Sequence, residues 1–190
     1  MTRPQTALRA ALTAALALLL ASALAGCGGG AKNNADGTAA APAEPGKGEP
    51  GSTAPAYDLA DVSGKTVSSA EFAGKVVIVD FWATWCPPCR EEIPHFVKLQ
   101  DKYRAQGLAI VGLSLDAGGA ADVGPFAEKY GVNYTMLIAN DDLAKAFGGV
   151  VALPTTFVID RQGKIVKRFI GYTPPEVFEA TIAPLLATTS

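Results

Sequence analysis

The sequence predicts an α/β domain with a central mixed β-sheet flanked by helices. Residues 76–81 form an apolar, β-branched run typical of a strand buried on both faces, and residues 108–115 form a second apolar run. A helix-compatible pattern lies between them, and two strands joined through a helix pair in parallel. A later strand at residues 153–160 turns through residues 161–163 into residues 164–170, which predicts an antiparallel hairpin.

The shorter elements follow from turn and cap residues. Residues 61–64 predict the turn of a small hairpin, residues 69–72 predict one helical turn, and residues 116–119 predict a flexible loop. Thr173 is expected to cap the final helix, with two prolines in its first turn. The remaining predictions are a helix at residues 122–130, a strand at residues 134–139 and a short helix at residues 141–147.

Three segments follow one another along the 190 residues. Residues 1–26 have a basic start and an apolar Ala/Leu stretch too short to favour a spanning helix, which predicts a secretory signal. Residues 27–56 carry almost no large apolar side chain, so we expect a disordered tether, with the folded domain at residues 57–190. The net charge of −2 and the 18% of charged residues give no electrostatic footprint for nucleic acid.

The signal ends in Leu24-Ala25-Gly26-Cys27, which resembles the bacterial lipobox. The resemblance implies that Cys27 is diacylated, becomes the mature N-terminus and anchors the protein to a membrane. The alternatives are an ordinary cleaved signal or an uncleaved anchor in which Cys27 is incidental. We expect lipidation, because it also accounts for the odd cysteine count, with one cysteine for lipid and two for chemistry.

The other two cysteines stand where the strand at residues 76–81 passes into a helix, in the sequence Cys86-Pro-Pro-Cys89. The unpaired N–H groups and the positive dipole at a helix N-terminus stabilise a thiolate, so we expect the pKa of Cys86 to lie below that of a free thiol. Cys89, about one turn further on, is expected to be more shielded. One exposed thiolate with a resolving partner is the arrangement that thiol–disulfide exchange requires.

A zinc site and a structural disulfide are the alternatives for this C-x-x-C motif. A zinc site needs four ligands, and beyond this pair the chain offers only His95 and Cys27. A structural bridge that closes so short a loop stabilises little, because loop-closure entropy grows with loop length. We therefore expect redox chemistry, without a metal or another cofactor.

The segment V-D-F-W-A-T-W-C-P-P-C resembles the active-site segment of the thioredoxin superfamily. The sequences S-G-K-T-V before it, E-E-I-P after it and L-P-T-T-F-V-I-D further on are similar to those of the membrane-anchored, extracytoplasmic thiol–disulfide oxidoreductases of the TlpA/ResA type. The resemblance covers residues 57–186 and implies a thioredoxin-like fold. It also implies that the helix at residues 122–130 and the strand at residues 134–138 occupy the place of the insertion that marks this type.

The resemblance implies roles for individual residues. Cys86 would attack a substrate disulfide, Cys89 would resolve the mixed disulfide, and Pro154 would follow a cis bond and face the redox disulfide. Asp80 would be the buried acid that assists deprotonation of the second cysteine, and Glu92 would be the active-site glutamate. The alternatives are a solvated Asp80 and a surface Glu92. The positions expected to contact substrate are Trp85, Pro87, Leu153 and Pro154.

The implied function is the reduction of protein disulfides outside the cytoplasm, by a protein anchored to the cell membrane or the outer membrane. Apocytochrome c before haem attachment is the leading precedent for the substrate, and a transmembrane thiol carrier of the DsbD/CcdA kind would return electrons. The alternatives are a disulfide-forming oxidase, a peroxiredoxin and a copper chaperone. The last two fit less well, because Cys86 lacks the upstream proline of a peroxiredoxin and His95 does not supply the histidine of a copper chaperone.

Overall fold

The computed structural model describes residues 48–188, so the predicted signal, Cys27 and the tether up to residue 47 lie outside the described residues. The strands are β1 (Asp58–Ala60), β2 (Thr66–Ser68), β3 (Val76–Trp82), β4 (Leu108–Ser114), β5 (Thr135–Ile138), β6 (Thr155–Ile159) and β7 (Ile165–Ile170). The α-helices are α1 (Pro87–Tyr103), α2 (Ala120–Lys129), α3 (Asp141–Ala146) and α4 (Pro175–Ala187), and 3-10 turns occupy Ser69–Phe72 and Arg104–Gln106. Among residues 48–188, no helix has both the length and the apolar character needed to span a membrane.

Strand β3 lies at the centre of a five-stranded mixed sheet with the order β5-β4-β3-β6-β7. β3, β4 and β5 are parallel, whereas β6 runs antiparallel to β3 and β7 runs antiparallel to β6. β1 and β2 form a separate antiparallel hairpin. The predicted α/β class, the parallel strand–helix–strand unit and the hairpin of β6 and β7 are confirmed. α2 and β5 stand where the insertion was predicted, and β5 forms one edge of the sheet.

The alternation of side chains along β3 decides which way Asp80 points. All seven residues of β3 are buried, and successive side chains of a strand face opposite sides of the sheet. Val79 and Phe81 pack into the apolar cluster on one face. Val76 and Ile78 pack into a second cluster that contains side chains of α1 and α4. Asp80 has the parity of this second pair, so its carboxyl group points to the side covered by α1 and α4.

Residues 51–54 depart from the predicted disordered tether. The Gly51 N–H donates to the Ile165 carbonyl over 2.7 Å, and the Ile165 N–H donates to the Ser52 carbonyl over 2.9 Å. The segment therefore pairs with the start of β7, the edge strand, and Pro55 is buried next to it in sequence. An edge strand leaves backbone donors and acceptors unpaired, and a partner can satisfy them without large apolar side chains of its own. The prediction that the tether extends to residue 56 is wrong at this end.

Two helices begin differently from the prediction. Pro174, not Thr173, stands at the N-cap of α4, and that cap makes no side-chain hydrogen bond. Thr173 does not cap the helix. Its backbone N–H donates to the carboxylate of Glu92, and its hydroxyl donates to the Gly171 carbonyl. α2 begins at Ala120, two residues before the predicted start.

Candidate active site

The two cysteines lie at the junction between β3 and α1. Cys86 is the N-cap of α1, with extended backbone angles, and Pro87 and Pro88 occupy the first turn, where a missing N–H removes no helical hydrogen bond. Cys86 and Cys89 form a disulfide with an S–S distance of 2.08 Å. The Cys86 sulfur also accepts a hydrogen bond from the Cys89 backbone N–H over 3.3 Å. A negative charge that develops on this sulfur would therefore meet a backbone donor and the positive end of a 17-residue helix.

Cys86 is more enclosed than expected. Cys89 is fully buried, which agrees with its being the more shielded of the two, but Cys86 is only 3% exposed, so the expectation of an exposed Cys86 is wrong for this disulfide form. Cys86 is reached instead through a cleft of about 440 Å³ between the redox turn and the loop before β6. Trp85, which is 67% exposed, lines this cleft. The other residues that line the cleft are Pro87, Pro88, Leu115, Val150, Val151, Ala152 and Leu153.

Three of the four predicted substrate contacts line this cleft, and Pro154 does not. Trp85, Pro87 and Leu153 line it together with Cys86. The Leu153–Pro154 peptide bond is cis, in agreement with the resemblance. Pro154 itself is buried, and its carbonyl accepts a hydrogen bond from the Gly171 N–H over 2.8 Å.

Asp80 is buried, which rules out the solvated alternative. Its side chain is 1% exposed, and one oxygen accepts a hydrogen bond from the Thr156 hydroxyl over 3.0 Å. Thr156 is the residue of β6 that pairs with Asp80 across the antiparallel ladder. Burial raises the pKa of Asp80 from 3.8 to about 7, and the hydrogen bond from Thr156 offsets part of that rise.

Glu92 is buried as well, which rules out the surface alternative. Helical spacing places it on the inner face of α1, while its neighbour Glu91 is exposed. One carboxylate oxygen accepts a hydrogen bond from the Thr173 N–H over 2.5 Å, and the other is buried without a hydrogen-bond partner. Burial is the main cause that raises the pKa of Glu92 from 4.5 to about 8. The charge of Asp80 adds to this rise, and the Thr173 N–H opposes it.

The insertion formed by α2 and β5 packs against the redox site. Val123 of α2 and Met136 of β5 belong to one buried apolar cluster with Cys86, Cys89 and Trp82. This cluster accounts for the complete burial of Cys89.

Sequence reasoning missed one group at this site. Asp116 was predicted to begin a flexible loop, yet it is 6% exposed and accepts hydrogen bonds from Thr84 and Ser114. The available signal was its position two residues after the end of β4, because the carboxyl ends of neighbouring parallel strands meet at one edge of a sheet. Cys86 follows β3 at that same edge.

Residues 50–168 match the AhpC/TSA family. The chain belongs to this family. It is 36% identical over 129 residues to the thiol–disulfide oxidoreductase ResA of Bacillus thuringiensis (strain Al Hakam), which covers 68% of this chain and 74% of that one. It is 37% identical over 121 residues to the protein of the same name from Geobacillus thermodenitrificans (strain NG80-2), covering 64% and 69%.

The fold comparison agrees with these relatives. A crystal structure described as a thiol:disulfide interchange protein of the thioredoxin family, from Chlorobium tepidum TLS, superposes with a TM-score of 0.66 at 34% identity. The superposition covers 73% of this chain and 98% of that one. The predicted thioredoxin-like fold and the resemblance to the ResA type are confirmed, and the chain is a thiol–disulfide oxidoreductase.

Proposed function

We propose that this oxidoreductase reduces protein disulfides, with Cys86 as the attacking thiol and Cys89 as the resolving thiol. The observation that carries the assignment is the contrast between the two sulfurs. Cys86 is the helix N-cap, accepts the Cys89 N–H and lines an open cleft, whereas Cys89 is fully buried. A thiolate is the nucleophile in this chemistry, and only the first position combines anion stabilisation with access.

The exchange runs in two steps. The Cys86 thiolate attacks one sulfur of the substrate disulfide, the substrate S–S bond breaks, and the other substrate sulfur leaves as a thiolate that takes up a proton. The Cys89 thiolate then attacks the Cys86 sulfur of the mixed disulfide and releases the second substrate sulfur. Two electrons pass to the substrate, and the Cys86–Cys89 disulfide remains. An external dithiol must reduce it again.

Asp80 and Glu92 are proposed to handle the proton of Cys89. A buried thiol needs a nearby base before it can resolve the mixed disulfide, because bulk water does not reach it. The pKa values of about 7 and about 8 keep these carboxyl groups close to the point of half-protonation at neutral pH. That is the range in which one group can both accept and return a proton.

The cleft supports a polypeptide as the substrate. Trp85, Val151 and Leu153 give it an apolar wall of side chains, and it is open enough for an extended segment that carries a disulfide. We propose apocytochrome c thiols as the substrate class and a membrane thiol carrier of the DsbD/CcdA kind as the electron donor. Both rest on the resemblance to the TlpA/ResA type.

The remaining part of the proposal concerns organisation and location. Residues 1–26 are a lipoprotein signal, residues 27 to about 50 link the lipidated Cys27 to the domain, and the domain lies outside the cytoplasm on the cell membrane or the outer membrane. A disulfide-forming oxidase is the second candidate, because the same two cysteines can transfer electrons in either direction. The ResA relatives are named thiol–disulfide oxidoreductases, which favours neither the peroxiredoxin nor the copper chaperone.

Trapping of a mixed disulfide tests which cysteine attacks the substrate. Full-length Cys89→Ser and Cys86→Ser variants are incubated with a protein that contains a disulfide, and the products are separated without reductant. We expect a mixed disulfide with Cys89→Ser and none with Cys86→Ser, because only the first variant retains the attacking thiol and lacks the resolving one. The reverse pattern would overturn the assignment.

A further inference from the structure

The turn that precedes Cys86 donates hydrogen bonds to the buried side chain of Asp116. We propose that Asp116 is the positioning residue of the redox turn, and that it fixes Cys86 for attack by holding Thr84 against the loop that follows β4. The proposal rests on the proposed function, in which Cys86 is the attacking thiol. It concerns a residue that takes no part in the exchange itself.

Asp116 receives donors from both loops. The Thr84 hydroxyl donates to Oδ1 over 2.6 Å, and the Thr84 backbone N–H donates to Oδ2 over 2.9 Å. The Ser114 hydroxyl donates to Oδ2 over 2.8 Å, and the Asp116 N–H donates back to the Ser114 oxygen over 3.0 Å. Ser114 is fully buried and Asp116 nearly so. These hydrogen bonds link residues that stand 32 positions apart in the sequence, and a buried acceptor that loses its donors is costly.

The link joins two segments of the chain that meet at the cleft. Thr84 lies two residues before Cys86 in the turn that carries Trp85, and Leu115, which precedes Asp116, also lines the cleft. The Leu115 N–H also donates to the Trp82 carbonyl over 3.0 Å. Loss of the carboxylate contacts would therefore let the turn and the facing loop separate at the point where the substrate enters.

The redox turn has few other constraints on its conformation. β3 ends at Trp82 and α1 begins at Pro87, so the intervening residues belong to neither ladder nor helix. The backbone bond within this turn runs from the Cys86 N–H to the Ala83 carbonyl, over 3.1 Å. Thr84 is the residue through which a distant part of the chain sets the turn. Rates of attack depend strongly on such placement, since a misplacement of about 1 Å can lower a rate by about 100-fold.

The experiment compares Thr84→Val with Thr84→Ser in the full chain. Valine has the shape of threonine without the hydroxyl donor, whereas serine keeps the donor. We expect the second-order rate constant for attack of the reduced protein on a protein disulfide to fall about tenfold in Thr84→Val, and to stay within about twofold of the parent protein in Thr84→Ser. Asp116→Asn, which replaces an acceptor oxygen by a donor group, should lose at least as much as Thr84→Val.

A second readout separates positioning from simple loss of stability. A looser turn brings the two sulfurs together less often, so the equilibrium with glutathione should move toward the dithiol by about threefold in Thr84→Val and not in Thr84→Ser. Asp61→Asn is the matched control. Asp61 also accepts an N–H and a hydroxyl of one residue, Ser63, but it lies in the β1–β2 turn. Asp61→Asn should change at most the denaturation midpoint, and neither the rate constant for attack nor the equilibrium with glutathione.

The outcomes are distinct. If Thr84→Val attacks and equilibrates like Thr84→Ser, Asp116 is only structural and the positioning role is wrong. If Asp116→Asn does not fold, the two Thr84 variants still decide, because they leave the carboxylate in place. If trapping assigns the attack to Cys89, the proposed function fails, whatever the Thr84 variants show.

Discussion

The backbone nitrogen of Thr173 lies 2.5 Å from a carboxylate oxygen of Glu92, 81 residues away in the sequence. This hydrogen bond ties α1 to the segment before α4 and keeps the Glu92 side chain inside the protein. The second oxygen of Glu92 is buried without a partner. A carboxyl group placed in this way is favoured in its protonated form, because ionisation would leave an unpaired charge away from water.

The first prediction concerns the pH dependence of stability. In the unfolded chain Asp80 loses its proton near about pH 4, whereas in the folded chain its pKa is raised to about 7. The unfolded state therefore binds fewer protons than the folded state between these values. The contribution of Asp80 to the free energy of unfolding should be highest below about pH 4 and should fall as pH rises to about 7. Above that range Asp80 is ionised in both states, so its contribution no longer changes.

Replacement by asparagine removes this contribution. In Asp80→Asn the fall in the free energy of unfolding between about pH 4 and pH 7 should be smaller than in the parent protein, by on the order of 3 kcal/mol. Urea denaturation of the oxidised chain at several pH values measures it. Asp142→Asn is the control, because the Asp142 side chain is 90% exposed. Equal declines in Asp80→Asn and the parent protein would show that Asp80 is ionised in the folded state.

The second prediction is that the two acids titrate as a coupled pair. Burial raises the pKa of both carboxyl groups, and the charge of Asp80 adds to the rise at Glu92. Two negative charges repel each other, so the protons leave the pair in two steps. We expect Asp80→Asn to lower the pKa of Glu92, because the substitution removes that charge. NMR of the carboxyl carbons measures it, and an unchanged pKa of Glu92 in Asp80→Asn would contradict the coupling.

The sequence located the redox pair because its signal is local. A buried strand, two cysteines three residues apart and a helix with proline in its first turn are contiguous, and each predicts its own conformation. The parity of β3 and the helical spacing of α1 even favour inward positions for Asp80 and Glu92. These local patterns do not establish whether either carboxyl group has a hydrogen-bond partner in the interior.

The partners of the acidic residues come from distant parts of the chain. Thr156 is 76 residues from Asp80, and Asp116 is 32 residues from Thr84. No pattern along the sequence connects these pairs, since the sheet order brings them together. The sequence therefore predicts a flexible loop at residues 116–119. Its first residue, Asp116, is nevertheless buried and accepts hydrogen bonds from two other residues.

The third prediction concerns the anchor. If Cys27 is diacylated, metabolic labelling with palmitate should mark the full-length protein and should disappear in Cys27→Ala, since the thiol is the attachment point. Cys89→Ala serves as the control for loss of a cysteine elsewhere and should remain labelled. Labelling that persists in Cys27→Ala would exclude the lipoprotein assignment.

The fourth prediction is that the redox pair is a reductant. A potential becomes more oxidising when the reduced, thiolate form is stabilised, and negative charges near the sulfurs act against that form. Asp80 and Glu92 are both buried, and each becomes such a charge as pH rises through its raised pKa of about 7 or about 8. We expect a potential closer to the value of about −270 mV of thioredoxin than to the value of about −120 mV of the strong periplasmic oxidant.

Equilibration with glutathione at pH 7 and at pH 9 measures this potential. Above pH 8, where Glu92 is charged, Glu92→Gln should raise the potential more than it does at pH 7, because the substitution removes a charge only at the higher pH. A potential above about −180 mV in the parent protein would favour the disulfide-forming oxidase instead.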